Sequence, residues 1–142
     1  MSKARLIADA LASAIEAAAF SGVEQVVGRL NLDPTPLSID VYPAEPFYDD
    51  RSDGFGDTSY GYRYTVRART HSADPIPAQD LLLDLMDAEE GLAIALEDDQ
   101  TLNGNASSVK VDGPTGLRPY RGKGESILIG CEWTALVLPE TS

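Results

Sequence analysis

The sequence predicts an α+β protein: a single, mostly antiparallel sheet of about four strands packed against an N-terminal helix and central helices. Two observations lead to this prediction. Apolar residues recur at helical spacing near the N-terminus and again within residues 75–96, whereas apolar and polar residues alternate in several of the remaining segments. The predicted order is helix, two strands, helices and two strands, and the 142 residues suit one domain spanning 1–142.

The first helix is predicted over residues 2–20. Its apolar face consists of Leu6, Ile7, Ala10, Leu11, Ala14, Ile15 and Ala18. Ser2 can cap the first turn, and Ser21-Gly22 supplies a stop. Asp9 and Glu16 interrupt the apolar stretch, so we expect a folded helix here rather than a secretion signal. Helical spacing continues from Val23 to Leu30, which predicts a short second helix.

Two strands are predicted in the next part of the chain. Apolar and polar residues alternate over residues 37–42, and a proline bounds this segment on each side, which is typical of a half-buried strand. Residues 43–59 show little periodicity and are predicted to form a mobile acidic loop. Residues 60–69 also alternate between two faces, as in a strand. The predicted buried face consists of Tyr60, Tyr62, Tyr64, Val66 and Ala68. Arg63, Arg67 and Arg69 fall on the opposite, polar face.

The second half of the chain begins with a predicted helix that has Asp74 as its cap and Pro75 in its first turn. The apolar face of that helix contains Leu81, Leu82, Leu85 and Met86, and residues 92–96 predict another short helix. Val109 and Val111 indicate a third strand, and residues 113–116 a turn. Residues 126–138 form a last strand whose two faces are both largely apolar, so it is either central or covered by a partner. Trp133 and Cys131 are expected in the core.

Composition and motifs argue against several functions. The formal charge of −12 disfavours binding to nucleic acid phosphates. One cysteine and one histidine cannot form a disulfide or a structural zinc site. Residues 49–60 resemble a calcium loop, but Arg51 and Tyr60 occupy positions that require ligands. No catalytic residue, metal or cofactor is therefore expected, and the absence of a run of about 18–20 apolar residues disfavours a membrane span.

Several segments together resemble the tail terminator proteins of long-tailed bacteriophages. These are the N-terminal helix, PLSIDVYP (36–43), YRYTVRAR (62–69), QDLLLDLMD (79–87), LEDDQTL (96–102) and GCEW (130–133). The likeness runs over nearly the whole chain. It implies a structural virion protein of the tail and neck, assembled in the host cytoplasm and without enzymatic activity. In that family a ring of subunits, commonly six, caps the tail tube, stops its polymerisation and joins it to the head.

The resemblance also implies partners: other copies of the chain, the tail tube protein, and a head connector or stopper protein. DNA would pass through the ring without specific binding. Between Arg69 and Lys110 the only charged side chains are acidic, and among them Asp87, Glu89 and Glu90 are candidates for a phosphate-repelling lumen face. A solvated helix face explains them equally well. The alternative functions are another neck protein, such as a stopper or head–tail connector, and a protein-binding module outside phages.

Candidate contact residues follow from the same patterns. A ring contact would pair the strand arginines with acidic residues of the next subunit. The candidates are Arg63, Arg67 and Arg69 on one side and Asp84, Glu97, Asp98 and Asp99 on the other. Phe47, Tyr48 and Phe55 are the candidate anchors of a partner-binding loop, because aromatic side chains bury much area for few frozen torsions.

Overall fold

The computed structural model describes residues 2–31, 37–49, 61–71, 75–121 and 127–139, and it has an α+β architecture. The helices are α1 (Lys3–Ala17), α2 (Pro75–Met86) and α3 (Leu92–Glu97). The strands are β1 (Gln25–Val27), β2 (Ser38–Asp49), β3 (Gly61–His71), β4 (Ala106–Asp112), β5 (Arg118–Arg121) and β6 (Ile127–Pro139). Within the described ranges no helix is long and apolar enough to cross a membrane.

Helix α1 begins where its sequence predicts but ends at Ala17 rather than near residue 20, and Leu6 of the predicted apolar face is exposed. The Ser2 hydroxyl accepts a hydrogen bond from the Arg5 N–H at 3.2 Å, which satisfies one of the free donors of the first turn. Ile7, Leu11 and Ile15 are buried on one face of the helix. The predictions for α2, α3 and β4 are confirmed as well, whereas the predicted cap Asp74 lies outside the described residues.

The predicted second helix is wrong, because Gln25–Val27 forms a strand, β1, parallel to the start of β2. Val26 and Val27 are β-branched and lose little by adopting an extended conformation. Gly28 follows them at a close approach to α1, where an added Cβ would lie 3.1 Å from the Ala8 carbonyl oxygen. Helical spacing over so few residues cannot outweigh these two local preferences.

Strand β2 is longer than predicted, since it continues through the first part of the expected loop to Asp49. Its pairing with β3 shifts between Pro43 and Tyr48, so residues 44–47 stand opposite Arg63 alone. Proline cannot donate to a sheet, which accounts for the irregular stretch around Pro43 and Pro46. The rest of the predicted loop, residues 50–59, lies outside the described part of the chain.

The sheet is mixed and six-stranded, with the order β1-β2-β3-β6-β4 and with β5 paired to the other end of β6. The expectation of about four strands is therefore too low, and β1 adds a parallel pair to a sheet expected to be mostly antiparallel. Strand β5 was missed because Arg118-Pro119-Tyr120-Arg121 has no apolar alternation. Strand β6 is central, as its two apolar faces predicted, and pairs with β3, β4 and β5.

One face of the sheet packs on the helices and forms the core. Its members include Ile39, Val41, Tyr64, Val66, Cys131, Trp133 and, from the helices, Leu11, Leu82 and Leu96. The predicted burial of Tyr64, Cys131 and Trp133 is confirmed, while Tyr62 is only half-buried. Burial raises the pKa of the Cys131 thiol to about 12, so the thiol stays protonated at neutral pH.

Two side chains at and just after the end of α3, Glu97 and Gln100, cover part of the outer edge of β4. The Gln100 amide accepts from the Val109 N–H at 3.0 Å and donates to the Val109 carbonyl at 2.9 Å. A Glu97 carboxylate oxygen accepts from the Val111 N–H, also at 3.0 Å. These bonds satisfy backbone groups that an edge strand otherwise leaves to solvent.

Replacing Trp133 by alanine should cost about 3–5 kcal/mol of unfolding free energy, because the indole is fully buried at the centre of the sheet. Urea unfolding followed by circular dichroism measures this loss. Ile76→Ala is the matched control, since Ile76 is 73% exposed and its truncation should change stability by about 0.5 kcal/mol or less. Equal effects of the two substitutions would contradict the burial of Trp133.

Candidate functional site

The sheet face opposite the helices carries a cluster of ion pairs centred on Asp40. Antiparallel register places Asp40 of β2 directly opposite Arg67 of β3. Arg67 donates twice to the Asp40 carboxylate, from Nε at 3.2 Å and from Nη2 at 2.7 Å. Arg69 Nη2 lies 3.4 Å from the same carboxylate. One carboxylate therefore holds two guanidinium groups of the neighbouring strand.

This cluster is buried, although its members are charged. Asp40 is 1% exposed and Arg69 is 5% exposed. Asp40 also accepts from the Asn31 N–H at 3.0 Å, and Arg69 donates to the Asn31 carbonyl at 2.5 Å, so the segment after β1 is tied to the cluster. Burial lowers the pKa of Arg67, but the hydrogen bond and charge of Asp40 raise it by more, so the net shift is upward. For Arg69 burial prevails and its pKa is lowered.

A second cluster lies on the same face and combines Arg118, Tyr120 and Glu132. The Tyr120 hydroxyl donates to the Glu132 carboxylate at 2.7 Å and accepts from Arg118 Nε at 3.0 Å. Arg118 also pairs directly with Glu132. The side chain of Arg118 is half exposed, and its hydrogen bonds to Tyr120 and Glu132 raise its pKa.

Arg67 connects the two clusters through ring contacts. Its guanidinium carbon lies 4.9 Å from the centre of the Tyr42 ring and 5.7 Å from that of Tyr120, both within the range of cation–π attraction. Gly130 makes this arrangement possible, because a Cβ there would lie 3.1 Å from both Arg69 Cγ and Tyr120 Cε2. The face is thus a packed layer of charges and rings rather than a set of independent surface side chains.

The predicted ring-contact residues occupy different settings. Arg67 and Arg69 already pair with Asp40 of their own chain, and Arg63 lies on the same face, opposite Leu136. Among the acids, Glu97 binds the Val111 N–H, Asp84 and Asp98 are exposed, and Asp99 is half-buried. A contact between the two sets across neighbouring subunits stays a prediction, and Arg67 and Arg69 would bring their partner Asp40 with them.

The acidic turn between α2 and α3 contains the candidate lumen residues. Asp87, Glu89 and Glu90 are all exposed there. The Asp87 carboxylate accepts from the N–H groups of Glu89 and Glu90, each at 2.8 Å. The Glu90 and Glu89 hydrogen bonds lower the pKa of Asp87, so its negative charge persists below the usual range of an aspartate. The assignment of these residues to a lumen stays a prediction.

An aromatic cluster lies at the end of the sheet where β2 is irregular. Phe47 stacks on Tyr62 with ring centres 5.0 Å apart and meets Tyr64 edge-on at 5.4 Å. Tyr48 is 62% exposed and lies 5.3 Å from the Phe47 ring. The structure therefore brings together two of the three predicted loop anchors, whereas Phe55 lies outside the described residues.

Beside this cluster is an apolar groove of about 320 Å³. Arg5, Ala8, Arg29, Leu30, Phe47 and Tyr64 are among the residues that line it. The Tyr64 hydroxyl donates to the Ala4 carbonyl at 2.6 Å, which fixes α1 over one side of the groove. The sequence pattern indicated Phe47 but not Arg5, Arg29 and Leu30, because the lining comes from four separate parts of the chain: α1, the segment after β1, β2 and β3.

No group of three or more metal-binding side chains comes together among the residues that the structure describes. The candidate calcium loop falls almost entirely in residues 50–60, outside those ranges. The described surfaces combine buried ion pairs, clustered aromatic rings and an open apolar groove.

Asp40→Ala should cost about 3–5 kcal/mol of unfolding free energy, because it leaves two largely buried arginines without their carboxylate. The matched control is Glu132→Ala, which removes a more exposed pair and should cost about 1 kcal/mol or less. Chemical unfolding of both variants compares them. If Asp40→Ala were as mild as its control, the Asp40 cluster would not stabilise this face.

Gly130→Ala should destabilise the protein by about 1–3 kcal/mol, since the new methyl would collide with the Ala68 carbonyl oxygen on β3. Gly116→Ala provides the control, because a Cβ there has no atom within 4 Å. Thermal unfolding of the two variants tests the close approach. A Gly130→Ala protein as stable as the wild type would contradict it.

Comparison of the chain with models of known protein families and with curated proteins finds no match.

Proposed function

We propose that the chain is a tail terminator, a structural subunit whose copies form a ring at the end of a phage tail tube. The ring stops polymerisation of the tube and offers a surface to the head connector. One observation carries the proposal: the two sides of the sheet differ in charge. A head-to-tail ring needs two unlike surfaces on every subunit, and such a difference supplies them.

The helical side of the molecule is acidic. Its exposed carboxylates include Asp80, Asp84, Asp87, Glu89, Glu90 and Asp98. On the outer sheet face, cations outnumber carboxylates among the side chains that the structure describes. Register places on it the cations Arg63, Arg67, Arg69, Lys110 and Arg118 and the carboxylates Asp40, Asp112 and Glu132. Copies that face one another with these two sides would attract despite the overall charge of −12.

Among the described residues, the cysteine and the histidine lie in separate places, which supports a structural role. Cys131 is buried in the core, where its raised pKa keeps the thiol protonated. His71 is exposed at the end of β3. On the sheet face, Asp40 and Glu132 are paired with arginines. The acidic turn at Asp87 further suits a passage for DNA, because it repels phosphates and would not retain the duplex.

The test has two parts. Negative-stain electron microscopy of the purified protein should show closed rings with a central opening. Deleting the gene from the phage genome that encodes the chain should then give tails of irregular, excessive length and heads without tails, because nothing stops the tube. A plasmid copy of the wild-type gene should restore uniform tails and serves as the control.

Two outcomes would contradict the proposal and favour its alternatives. Tails of uniform length that fail to join heads would support a stopper or connector. Normal particles in the absence of the gene would exclude a role in tail assembly and favour a protein-binding module.

A further inference from the structure

We infer that the apolar groove beside Phe47 receives the exposed face of α2 from a second copy of this chain. This inference rests on the proposed function, because it identifies the contact that neighbouring subunits of the ring make. The groove would be the acceptor surface and α2 the donor surface. Repeating the same contact around a closed ring would engage both surfaces of every subunit.

The acceptor surface is apolar inside and basic at its rim. Leu30 is 48% exposed and lines the groove together with Phe47, and the volume of about 320 Å³ can accommodate a few aliphatic side chains. Arg5 and Arg29 contribute to the lining and are exposed. Such a surface favours a partner that combines apolar anchors with negative charge.

Helix α2 presents this combination on the side away from the core. Ala78, Leu82 and Leu85 are buried, while Ile76 and Leu83 are 73% and 52% exposed. The two exposed residues are seven positions apart, which places them on one face about 10 Å from each other. Asp80 lies on the same face between them, and Asp84 is exposed beside Leu83. Apolar residues at this spacing are typical of a helix that docks in a groove.

The two surfaces are complementary and separate within one subunit. The groove belongs to α1, the segment after β1, β2 and β3, whereas the donor face belongs to α2. The arginines of the groove match the aspartates of the helix in charge. Arg67 and Arg69 are already bound to Asp40 of their own chain, so the sheet face would contribute charge attraction to the ring. The groove and α2 would supply the close contact, which requires no rearrangement of these bonds.

The experiment compares one substitution on each surface with a matched control. Leu30→Asp places a charge in the groove, and Leu83→Asp places one on the donor face of α2. Leu6→Asp is the control, because Leu6 is exposed on α1 at a different groove. Analytical ultracentrifugation should show self-association weakened at least about tenfold by Leu30→Asp and by Leu83→Asp, and unchanged by Leu6→Asp.

Mixing the two variants identifies the pairing. The Leu83→Asp protein keeps an intact groove, and the Leu30→Asp protein keeps an intact α2 face, so an equimolar mixture can form one good contact per pair. Native mass spectrometry should show a heterodimer that does not grow into a ring. A mixture that stays monomeric, or single variants that still form rings, would overturn the inference.

Folding is monitored by thermal unfolding, and Arg29→Glu and Ile76→Asp replace any variant that melts early. A wild-type protein that stays monomeric up to about 1 mM would also overturn the proposed contact. The tail-length assay reports on the proposed function separately. If phages that carry either surface variant still make tails of uniform length, this contact is rejected but the terminator function stands. If phages that lack the gene make normal tails, the terminator function is rejected, but a self-association measured in solution stands.

Discussion

The outer face of the sheet depends on the ion pairs that the Asp40 carboxylate makes with Arg67 and Arg69. The carboxylate binds two arginines of β3 and the N–H of Asn31, so three segments of the chain converge on one nearly inaccessible group. Each of these charges would be costly to bury alone. Their ion pairs and hydrogen bonds offset the cost of desolvation only while the side chains keep their relative positions. The register of β2 against β3 is therefore fixed by charge on one face and by apolar packing on the other.

That register also positions the two features that follow along the same strands. Beyond Pro43 the pairing becomes irregular, and the extra residues of β2 bring Phe47 against both Tyr62 and Tyr64. Tyr64 then reaches the Ala4 carbonyl and fixes the N-terminal turn of α1 beside the groove. A slip of one residue would move the aromatic rings to the charged face and the arginines into the core.

Periodicity predicted the elements whose residues pack against the core. Apolar spacing predicted the buried faces of α1 and α2 and the central position of β6. In these elements the burial of a continuous apolar face outweighs the conformational preferences of single residues. Strand β1 could not be predicted in this way, since Val26 and Val27 fit a helical pattern as well as a strand. The Asp40 cluster and the groove could not be predicted either. They join residues from α1, the segment after β1, β2 and β3, whose proximity depends on tertiary packing and strand pairing rather than on local sequence.

The hydrogen bonds of Gln100 and Glu97 along β4 have a consequence for how copies of the chain can meet. An uncovered edge strand recruits other chains by extending the sheet, which leads to growth without a defined end. Here the N–H and carbonyl groups of Val109 and the N–H of Val111 are already bound to Gln100 and Glu97. At the β4 edge, contacts between copies must then form through side chains, whose complementarity limits the number and order of subunits and allows a wrongly joined copy to dissociate.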